Sequence, residues 1–142
     1  MRAEHDVFWT NEWLKTKSLS AKPVLFMTVR NEREEDTVLL QKIIEACRLQ
    51  PELYQVVELD EKDRIAWHYL REELGIATLV LFGIEPAQLG VSAHLMPHQT
   101  NRFDQCNWIP TASMQQIAAQ PELKAHLWNY GLKPVFIDKI YS

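Results

Sequence analysis

Two runs of apolar residues, Pro23 to Val29 and Ala77 to Phe82, constrain the fold of this 142-residue chain more than any other feature. Each run has the length of a strand, and in neither do apolar and polar residues alternate. A strand that lacks this alternation is typically buried on both faces, as in a parallel sheet that is covered by helices. The two runs therefore predict a sheet with helices on both of its sides.

The segment between the two runs predicts a helix and a further strand. The apolar residues of the helix recur at helical spacing and are Val38, Leu39, Ile43, Ile44 and Cys47. Asp36 or Thr37 can cap the start of this helix, and Pro51 follows its end. Tyr54 to Leu59 then predicts the second strand of the sheet.

A second helix is predicted after that strand, beginning at Asp60 or Asp63. Its apolar face is formed by Ile65, Ala66, Tyr69, Leu70 and Leu74. Gly75 is the expected C-cap, because glycine readily adopts the left-handed conformation in which many helices end. Strands that alternate with helices at this spacing predict βαβ units.

The last third of the chain predicts one more strand and two short helices. The expected elements are a strand over 103–109 that ends at Pro110 and Thr111, helices over 113–119 and 121–130, a closing Gly131 and a short extended segment over 132–142. Leu127 and Trp128 are expected to anchor the second of these helices to the core. The whole pattern predicts an α/β fold, a three-layer sandwich with a mostly parallel central sheet of about four strands.

The composition indicates an ordinary globular domain without a basic surface. The chain is 46% hydrophobic and 24% charged, as is usual for globular proteins, and its formal net charge is -4. Proteins that bind nucleic acid through their own surface usually carry a basic patch or stripe. We therefore expect no strong direct binding to nucleic acid.

The cysteines and the N-terminus indicate a reducing compartment. Cys47 and Cys106 are the two cysteines, and neither belongs to a CxxC pair. Cys47 falls on the expected buried face of the first helix, where a free cysteine behaves as a small hydrophobic residue. Residues 1–20 lack the apolar core of a signal peptide, and no apolar run reaches the roughly 20 residues that span a bilayer. These features predict a cytoplasmic location and no membrane association.

A ligand of an open α/β sheet usually lies beyond the carboxyl ends of the strands. These ends carry Arg30 and Asn31 after the first strand, Asp60 after the second and residues 83–86 after the third. The sequence has no glycine-rich phosphate loop, no nucleophile elbow and no zinc-helix motif. Helix capping is the preferred interpretation of Asp36, Asp60 and Asp63, because none is paired in sequence with a nucleophile or a histidine. We predict no catalytic residue and no cofactor.

A zinc site is the alternative interpretation of the loop after the third strand. His94 and His98 are four residues apart, and Asp104 and Cys106 follow them. Four such side chains are a possible zinc ligand set. Pro97 interrupts a helical arrangement of the two histidines, so a surface loop with unrelated histidines is the preferred interpretation, and no metal is predicted. A Cys–His nucleophile at Cys106 also lacks a supporting motif.

The first 20 residues differ from the rest of the chain because they place aromatic residues within a polar segment. Phe8, Trp9, Trp13 and Leu14 lie in a short segment that is otherwise rich in polar residues. Trp9 and Trp13 share one face if the segment is helical, and tryptophan is enriched in interface hot spots. We predict a docking segment and linker over residues 1–20 and a single α/β domain over 21–142. Folding of the segment back onto its own domain is an equally open alternative.

Several stretches in this order resemble the psi subunit family of the bacterial DNA polymerase III clamp-loader complex. They are the opening strand 24–29 with the acidic loop and helix that follow, the helix end and second strand over 49–59, and the proline-led short helices over 110–128 that close with the pair Leu127-Trp128. The stretches are packing and turn motifs. The segment 63–74 predicts a fuller helix than the family has, and the loop 91–107 has no clear counterpart in it.

The resemblance implies a fold like that of uracil-DNA glycosylases with the catalytic residues lost. It implies an adaptor in which an N-terminal peptide docks on a clamp-loader ATPase subunit, and the body binds a chi subunit that contacts single-strand DNA-binding protein. Phe8, Trp9, Trp13 and Leu14 would then be the partner-binding residues. No partner surface of the body carries over residue by residue.

A uracil-DNA glycosylase-like enzyme is the competing interpretation. Such enzymes need an aspartate or asparagine in the loop after the first strand and a histidine in a late loop. Asn31 is placed for the first role, and His98 with Asn101 for the second. The usual Gly-Gln-Asp-Pro type of loop is absent from the sequence.

Overall fold

The computed structural model describes residues 19–31 and 33–139. Phe8, Trp9, Trp13 and Leu14 lie outside the described residues, so their docking role stays a prediction. The strands are β1 (Val24–Val29), β2 (Tyr54–Leu59), β3 (Thr78–Phe82), β4 (Asn101–Phe103) and β5 (Cys106–Thr111). The helices are α1 (Glu34–Ala46), α2 (Trp67–Leu74), α3 (Met114–Ala119), α4 (Pro121–Leu127) and α5 (Lys133–Phe136), with 3₁₀ turns at Pro51–Leu53 and Pro86–Leu89 and a π turn at Trp128–Leu132.

The five strands form one mixed sheet in the order β2-β1-β3-β5-β4. β1 pairs in parallel with both β2 and β3, and β3 pairs in parallel with β5. β4 is antiparallel to β5. The predicted α/β class and mostly parallel sheet are confirmed, and the sheet has one strand more than expected.

The additional strand arises where a single strand was predicted over 103–109. Asp104 and Gln105 have φ angles of 53° and 62°, and Phe103 pairs with Cys106 across them. Two successive residues with positive φ form the type I′ turn that connects tight hairpins. The chain therefore reverses at Asp104, and the parallel strand β5 begins only at Cys106 and runs through Thr111.

Helices cover both faces of the sheet. Successive residues of a strand point to opposite faces. On β1, Leu25 and Met27 pack with residues of α2, whereas Val24 and Phe26 pack with residues of α1, α3, α4 and α5. All four side chains are buried. The strands are therefore buried on both faces, as the lack of alternation in the two apolar runs predicted.

The starts of the first two helices differ from the predicted ones. α1 begins at Glu34 with Arg33 as its N-cap residue, not with Asp36 or Thr37, which places three acidic residues in the first turn. Acidic side chains there are stabilised by the helix dipole. α2 begins at Trp67, because residues 60–66 form a turn in which the Asp63 carboxylate accepts a hydrogen bond from the backbone N–H of Asp60. On α1, Cys47 is buried as predicted, whereas Val38 is 47% exposed.

The predicted helix ends were right at one glycine and wrong at another. Gly75 ends α2 in the left-handed conformation, with φ 66°. Gly131 does not close α4, since the chain continues through the π turn into α5, and residues 133–136 are helical where an extended segment was predicted. A Cβ atom on Gly131 would lie 3.0 Å from Cγ2 of Ile109, so this glycine permits close packing on the sheet. Leu127 is buried and Trp128 packs on the same core, as predicted.

No helix within the described ranges is long and apolar enough to cross a membrane.

Candidate functional site

The strand order places a switch of direction between β1 and β3. From β1 the chain passes through α1 to β2, and from β2 it passes through α2 to β3 on the other side of β1. The two helices lie on opposite faces, since Leu40 of α1 and Leu70 of α2 belong to the two different core clusters. Ligands of open α/β sheets bind at such a switch point, beyond the carboxyl ends of the strands.

Two adjoining hollows occupy this position, and together we call them the carboxyl-edge cleft. The larger hollow, of about 680 Å³, is lined by Val29, Arg30, Leu59, Asp60, Glu61, Lys62, Gly83, Ser113 and Gln116. The smaller, of about 270 Å³, is lined by Val29, Arg30, Asn31, Arg33, Asp36, Ser113, Met114 and Gln115. The structure thus brings together Arg30, Asn31, Asp60 and Gly83, which the sequence placed at three separate strand ends. The larger hollow has the size of a small-molecule site.

Arg30 and Asp60 bridge the ends of β1 and β2 at the mouth of the cleft. Nε of Arg30 donates to Oδ1 of Asp60 at 3.0 Å, and Nη2 donates to Oδ2 at 3.2 Å. Their side chains are 61% and 54% exposed, so water screens the pair and its net stabilisation is small. The geometry is nonetheless the bidentate one, in which both carboxylate oxygens and two guanidinium N–H groups are engaged.

Arg33 and Asp36 form a second, more buried pair in the smaller hollow. The Arg33 guanidinium donates to Oδ1 and Oδ2 of Asp36 at 2.6 and 3.0 Å. The hydrogen bond with Asp36 raises the pKa of Arg33, against the opposing effect of desolvation. The Asp36 side chain is only 6% exposed, and its carboxylate is held by the arginine that precedes the helix.

Ser113 is held at the end of β5 by the start of α3. Its hydroxyl accepts a hydrogen bond from the backbone N–H of Gln116, and the Gln116 side chain accepts one from the backbone N–H of Ser113. This reciprocal capping box satisfies free N–H groups of the first helical turn. The strand end at Gly83 packs directly on it: a Cβ atom there would lie 3.2 Å from Cβ of Ser113.

A histidine cluster lies beside the same edge. Nδ1 of His98 is 2.8 Å from the hydroxyl of Thr111, the last residue of β5, and its backbone N–H donates to the carbonyl of Pro110. The ring centroids of His98 and His126 are 6.3 Å apart, and His126 lies on Tyr130. Partial burial, followed by the charge of His126, lowers the pKa of His98. His98 does not line the carboxyl-edge cleft.

Asn101 is the first residue of β4, and its side chain binds the loop that precedes the strand. Its side-chain amide donates to the carbonyls of Met96, Gln99 and Trp108, and its side-chain oxygen accepts from the backbone N–H of Met96. These bonds hold the loop against β5. In the glycosylase interpretation, His98 and Asn101 form the late loop. The Asn101 side chain is already hydrogen-bonded to backbone groups of this loop and of β5.

Three of the four side chains considered for zinc are engaged elsewhere, namely His98, Asp104 and Cys106, and His94 is exposed. Asp104 accepts hydrogen bonds from the Trp67 indole and from Arg71, both at 2.9 Å. Cys106 is buried with its thiol 3.4 Å from the carbonyl of Ile76, and burial raises its pKa. Within residues 19–31 and 33–139, no group of three or more histidine, cysteine, aspartate or glutamate side chains is placed to hold a metal ion.

Arg33, Ser113 and Gln116 are among the cleft residues that sequence reasoning did not include. The signal for two of them is present in the sequence, since serine followed three residues later by glutamine is a capping box at a strand-to-helix connection. Comparison with protein-family models, with curated proteins and with solved structures finds no match to this chain. Its function therefore has to follow from its own residues and from the resemblance of its motifs.

Proposed function

We propose that this chain is a non-catalytic adaptor subunit of a bacterial replicative DNA polymerase clamp-loader complex, a cytoplasmic assembly, and that it acts by binding partner proteins. The observation that carries the proposal is that the two arginines of the carboxyl-edge cleft, their carboxylate partners and Ser113 are engaged within the fold. Arg30 is bonded to Asp60, Arg33 to Asp36, and Ser113 to the first turn of α3. An enzyme needs an acid, base or nucleophile directed at a reacting atom. Here these groups bond one another or the backbone.

The proposed fold family is the uracil-DNA glycosylase-like one. The parallel part of the sheet, β2-β1-β3-β5 with helices on both faces, supports this assignment. In the proposal the enzyme-like sheet is kept as a scaffold, and the cleft where chemistry would occur has become a set of ion pairs and caps. A fold of this type carries many functions, so the role of the site has to be tested by itself.

The proposed partner of the N-terminal segment is a clamp-loader ATPase subunit. The body holds the start of the described chain firmly: Leu19 packs against the core, and Ser20 is bonded to Gln55 of β2 through its backbone. The described part of the chain therefore begins at a fixed point near the amino end of β2. In the proposal, Phe8, Trp9, Trp13 and Leu14 bind the ATPase subunit, and the body binds a chi-like subunit.

Alanine substitution within the full chain tests this assignment. The affinity-tagged chain is used to capture proteins from an extract of its own cells, and the retained proteins are identified by mass spectrometry. We expect a clamp-loader ATPase subunit to be retained, and to be lost when Phe8, Trp9, Trp13 and Leu14 are replaced by alanine. Replacement of the neighbouring polar residues Thr10 and Asn11 is the matched control and should retain it. Capture of no replisome protein by the unaltered chain would overturn the proposal.

A uracil-DNA glycosylase-like enzyme is the second candidate, and one observation favours it. Asn31 follows β1 and lines the cleft, while His98 is bonded to Thr111 at the end of β5, so both groups lie at the carboxyl edge of the sheet. Uracil excision from single-stranded and duplex DNA tests this reading. Activity of the unaltered chain that is abolished by Asn31→Ala would establish the enzyme and overturn the adaptor.

A further inference from the structure

A narrow apolar groove runs between α1 and α4 on the outer side of the helical layer. It has a volume of about 140 Å³ and is lined by Lys42, Ile43, Ala46, Lys124, Leu127, Trp128 and Leu132. Ile43, Leu127 and Leu132 are buried and form its floor, whereas Ala46 is exposed at its mouth. We call this feature the lysine groove, because one lysine stands on each of its walls.

The two walls have the same construction. On α1, Lys42 precedes Ala46 by four residues, and on the opposite wall Lys124 precedes Trp128 by four. Residues four apart lie on the same face of a helix, one turn above the other. Each wall therefore places an ammonium group beside an apolar surface, and the two charges flank the same depression.

Among the described residues, the two lysines of the lysine groove, Lys42 and Lys124, have no acidic partner in an ion pair. Glu45 and Glu122 lie on the same two helices but do not line the groove. The chain as a whole has a net charge of -4, so this pair of cations differs in sign from the average surface.

The volume defines what the apolar floor can accept. Sites for cofactors and drug-sized ligands begin at about 300 Å³. An apolar cavity of about 150 Å³ holds one benzene molecule. The lysine groove therefore matches a single phenyl or branched aliphatic side chain, with anionic groups on either side of it within reach of the two lysines.

We propose that the lysine groove binds a short acidic segment of a partner protein, with one aromatic or aliphatic side chain on the apolar floor and flanking carboxylates on Lys42 and Lys124. The inference deepens the proposed function, and it rests on that function only in taking protein binding as the role of the body. It does not involve residues 1–18. The partner is defined by this chemistry: an acidic, extended or helical peptide with one apolar anchor.

The test is direct binding of a designed peptide to the full chain, followed by fluorescence anisotropy. The probe is a fluorescein-labelled peptide with one central phenylalanine and three aspartates on each side. We expect saturable binding that weakens by at least about tenfold between 50 and 300 mM salt, because exposed ion pairs are screened. A peptide with alanine in place of phenylalanine, and one with lysines in place of the aspartates, should each bind at least about tenfold more weakly.

Three variants locate the binding. Lys42→Glu combined with Lys124→Glu reverses both wall charges, and Ala46→Phe fills the groove while leaving the charges in place. All three positions are exposed, so we expect unchanged circular dichroism and unfolding midpoints. The double variant and Ala46→Phe should each weaken binding of the probe at least about tenfold. Lys62→Glu makes the charge change of one of the two wall substitutions at the carboxyl edge of the sheet, and it should leave binding of the probe unchanged.

The outcomes separate this inference from the proposed function. The lysine groove is overturned if the probe does not bind, if it binds equally well to the double variant, or if the variants alter self-association of the full chain instead, which would make a second copy the occupant. Capture of the clamp-loader ATPase subunit should persist in the double variant. If the unaltered chain captures no clamp-loader ATPase subunit but still binds the probe, the adaptor proposal is contradicted and the lysine groove is not.

Discussion

The side chain of Gln55 pairs with both backbone polar groups of Ser20. Its Nε2 donates to the Ser20 carbonyl at 2.6 Å, and its Oε1 accepts from the Ser20 N–H at 2.9 Å. A side-chain amide can satisfy a backbone N–H and C=O together because it carries a donor and an acceptor. Ser20 is thus fixed to the edge strand β2, close to the first of the described residues.

Replacement of Gln55 by alanine is expected to loosen this attachment. Two hydrogen bonds at a partly exposed site are lost, and we expect the free energy of unfolding to fall by about 1 kcal/mol. Urea denaturation followed by circular dichroism measures this change. Limited proteolysis should in addition cut near Ser20 more rapidly in the variant. Gln41→Ala, at an exposed position of α1, is the control, and an equal effect there would show that the amide pairing contributes nothing.

Removal of Arg33 is expected to cost more than removal of an exposed charge. Arg33→Ala leaves the carboxylate of Asp36, whose side chain is 6% exposed, without its two charge-assisted hydrogen bonds. We expect the free energy of unfolding to fall further than in Arg30→Ala, because a nearly buried carboxylate is left without these bonds. Arg30→Ala, which removes the exposed pair with Asp60, should cost less than about 1 kcal/mol. Equal costs in urea denaturation would contradict the difference in burial.

The elements that could be predicted from the sequence are those with a local signal. The runs that became β1 and β3 lack alternation because both faces are buried, and this is visible along the chain itself. Gly75 was predicted because the left-handed conformation of a C-cap favours few residue types. The helix over 113–119 was also predicted, and it begins at Met114 with Ser113 as its N-cap. For these elements local preference and tertiary packing agree.

The elements that were misplaced depend on partners distant in sequence or on weak local signals. The acidic run at the start of α1 offers several possible N-caps. The N-cap is Arg33, and Asp36 is buried one turn into the helix, where it accepts hydrogen bonds from Arg33. The turn at Asp104 and Gln105 lacks the glycine that usually marks a type I′ hairpin, so the reversal was not evident. The cleft joins Ser113 to Arg30 only through the strand order, which no single segment encodes.

The two cysteines are expected to be unreactive in the folded chain. Burial raises the pKa of the Cys47 thiol to about 12, and it also raises the pKa of Cys106. The thiolate is the nucleophile, so at pH 8 a thiol with a pKa of about 12 is reactive in only about one molecule in ten thousand. Titration with Ellman's reagent should label neither cysteine in buffer over minutes and both in 8 M urea. Rapid labelling in buffer would contradict their burial.

Stability is expected to fall at mildly acidic pH through His98. Its folded-state pKa lies below the ordinary value, so between these two values the unfolded chain binds more protons than the folded one. The contribution is present in full above a pH of about 6.5 and is lost as the pH falls through the lowered pKa of the folded state. Urea midpoints measured from pH 7.5 to 5.0 should decrease more steeply in the unaltered chain than in His98→Asn. Asparagine is the chosen replacement because it tolerates the positive φ of this residue.

Two glycines separate backbone strain from crowding at the carboxyl edge. Gly75 and Gly83 have φ angles of 66° and 74°, but a Cβ atom on Gly75 meets nothing within 4 Å, whereas one on Gly83 lies 3.2 Å from Cβ of Ser113 and 3.3 Å from Cγ2 of Val29. Gly75→Ala should therefore lose about 1 kcal/mol from the left-handed backbone alone. Gly83→Ala should lose about 1–3 kcal/mol more, because the end of β3 must move away from the start of α3. Equal losses in urea denaturation would show that Ser113 and Val29 move aside for the added methyl group at little cost in free energy.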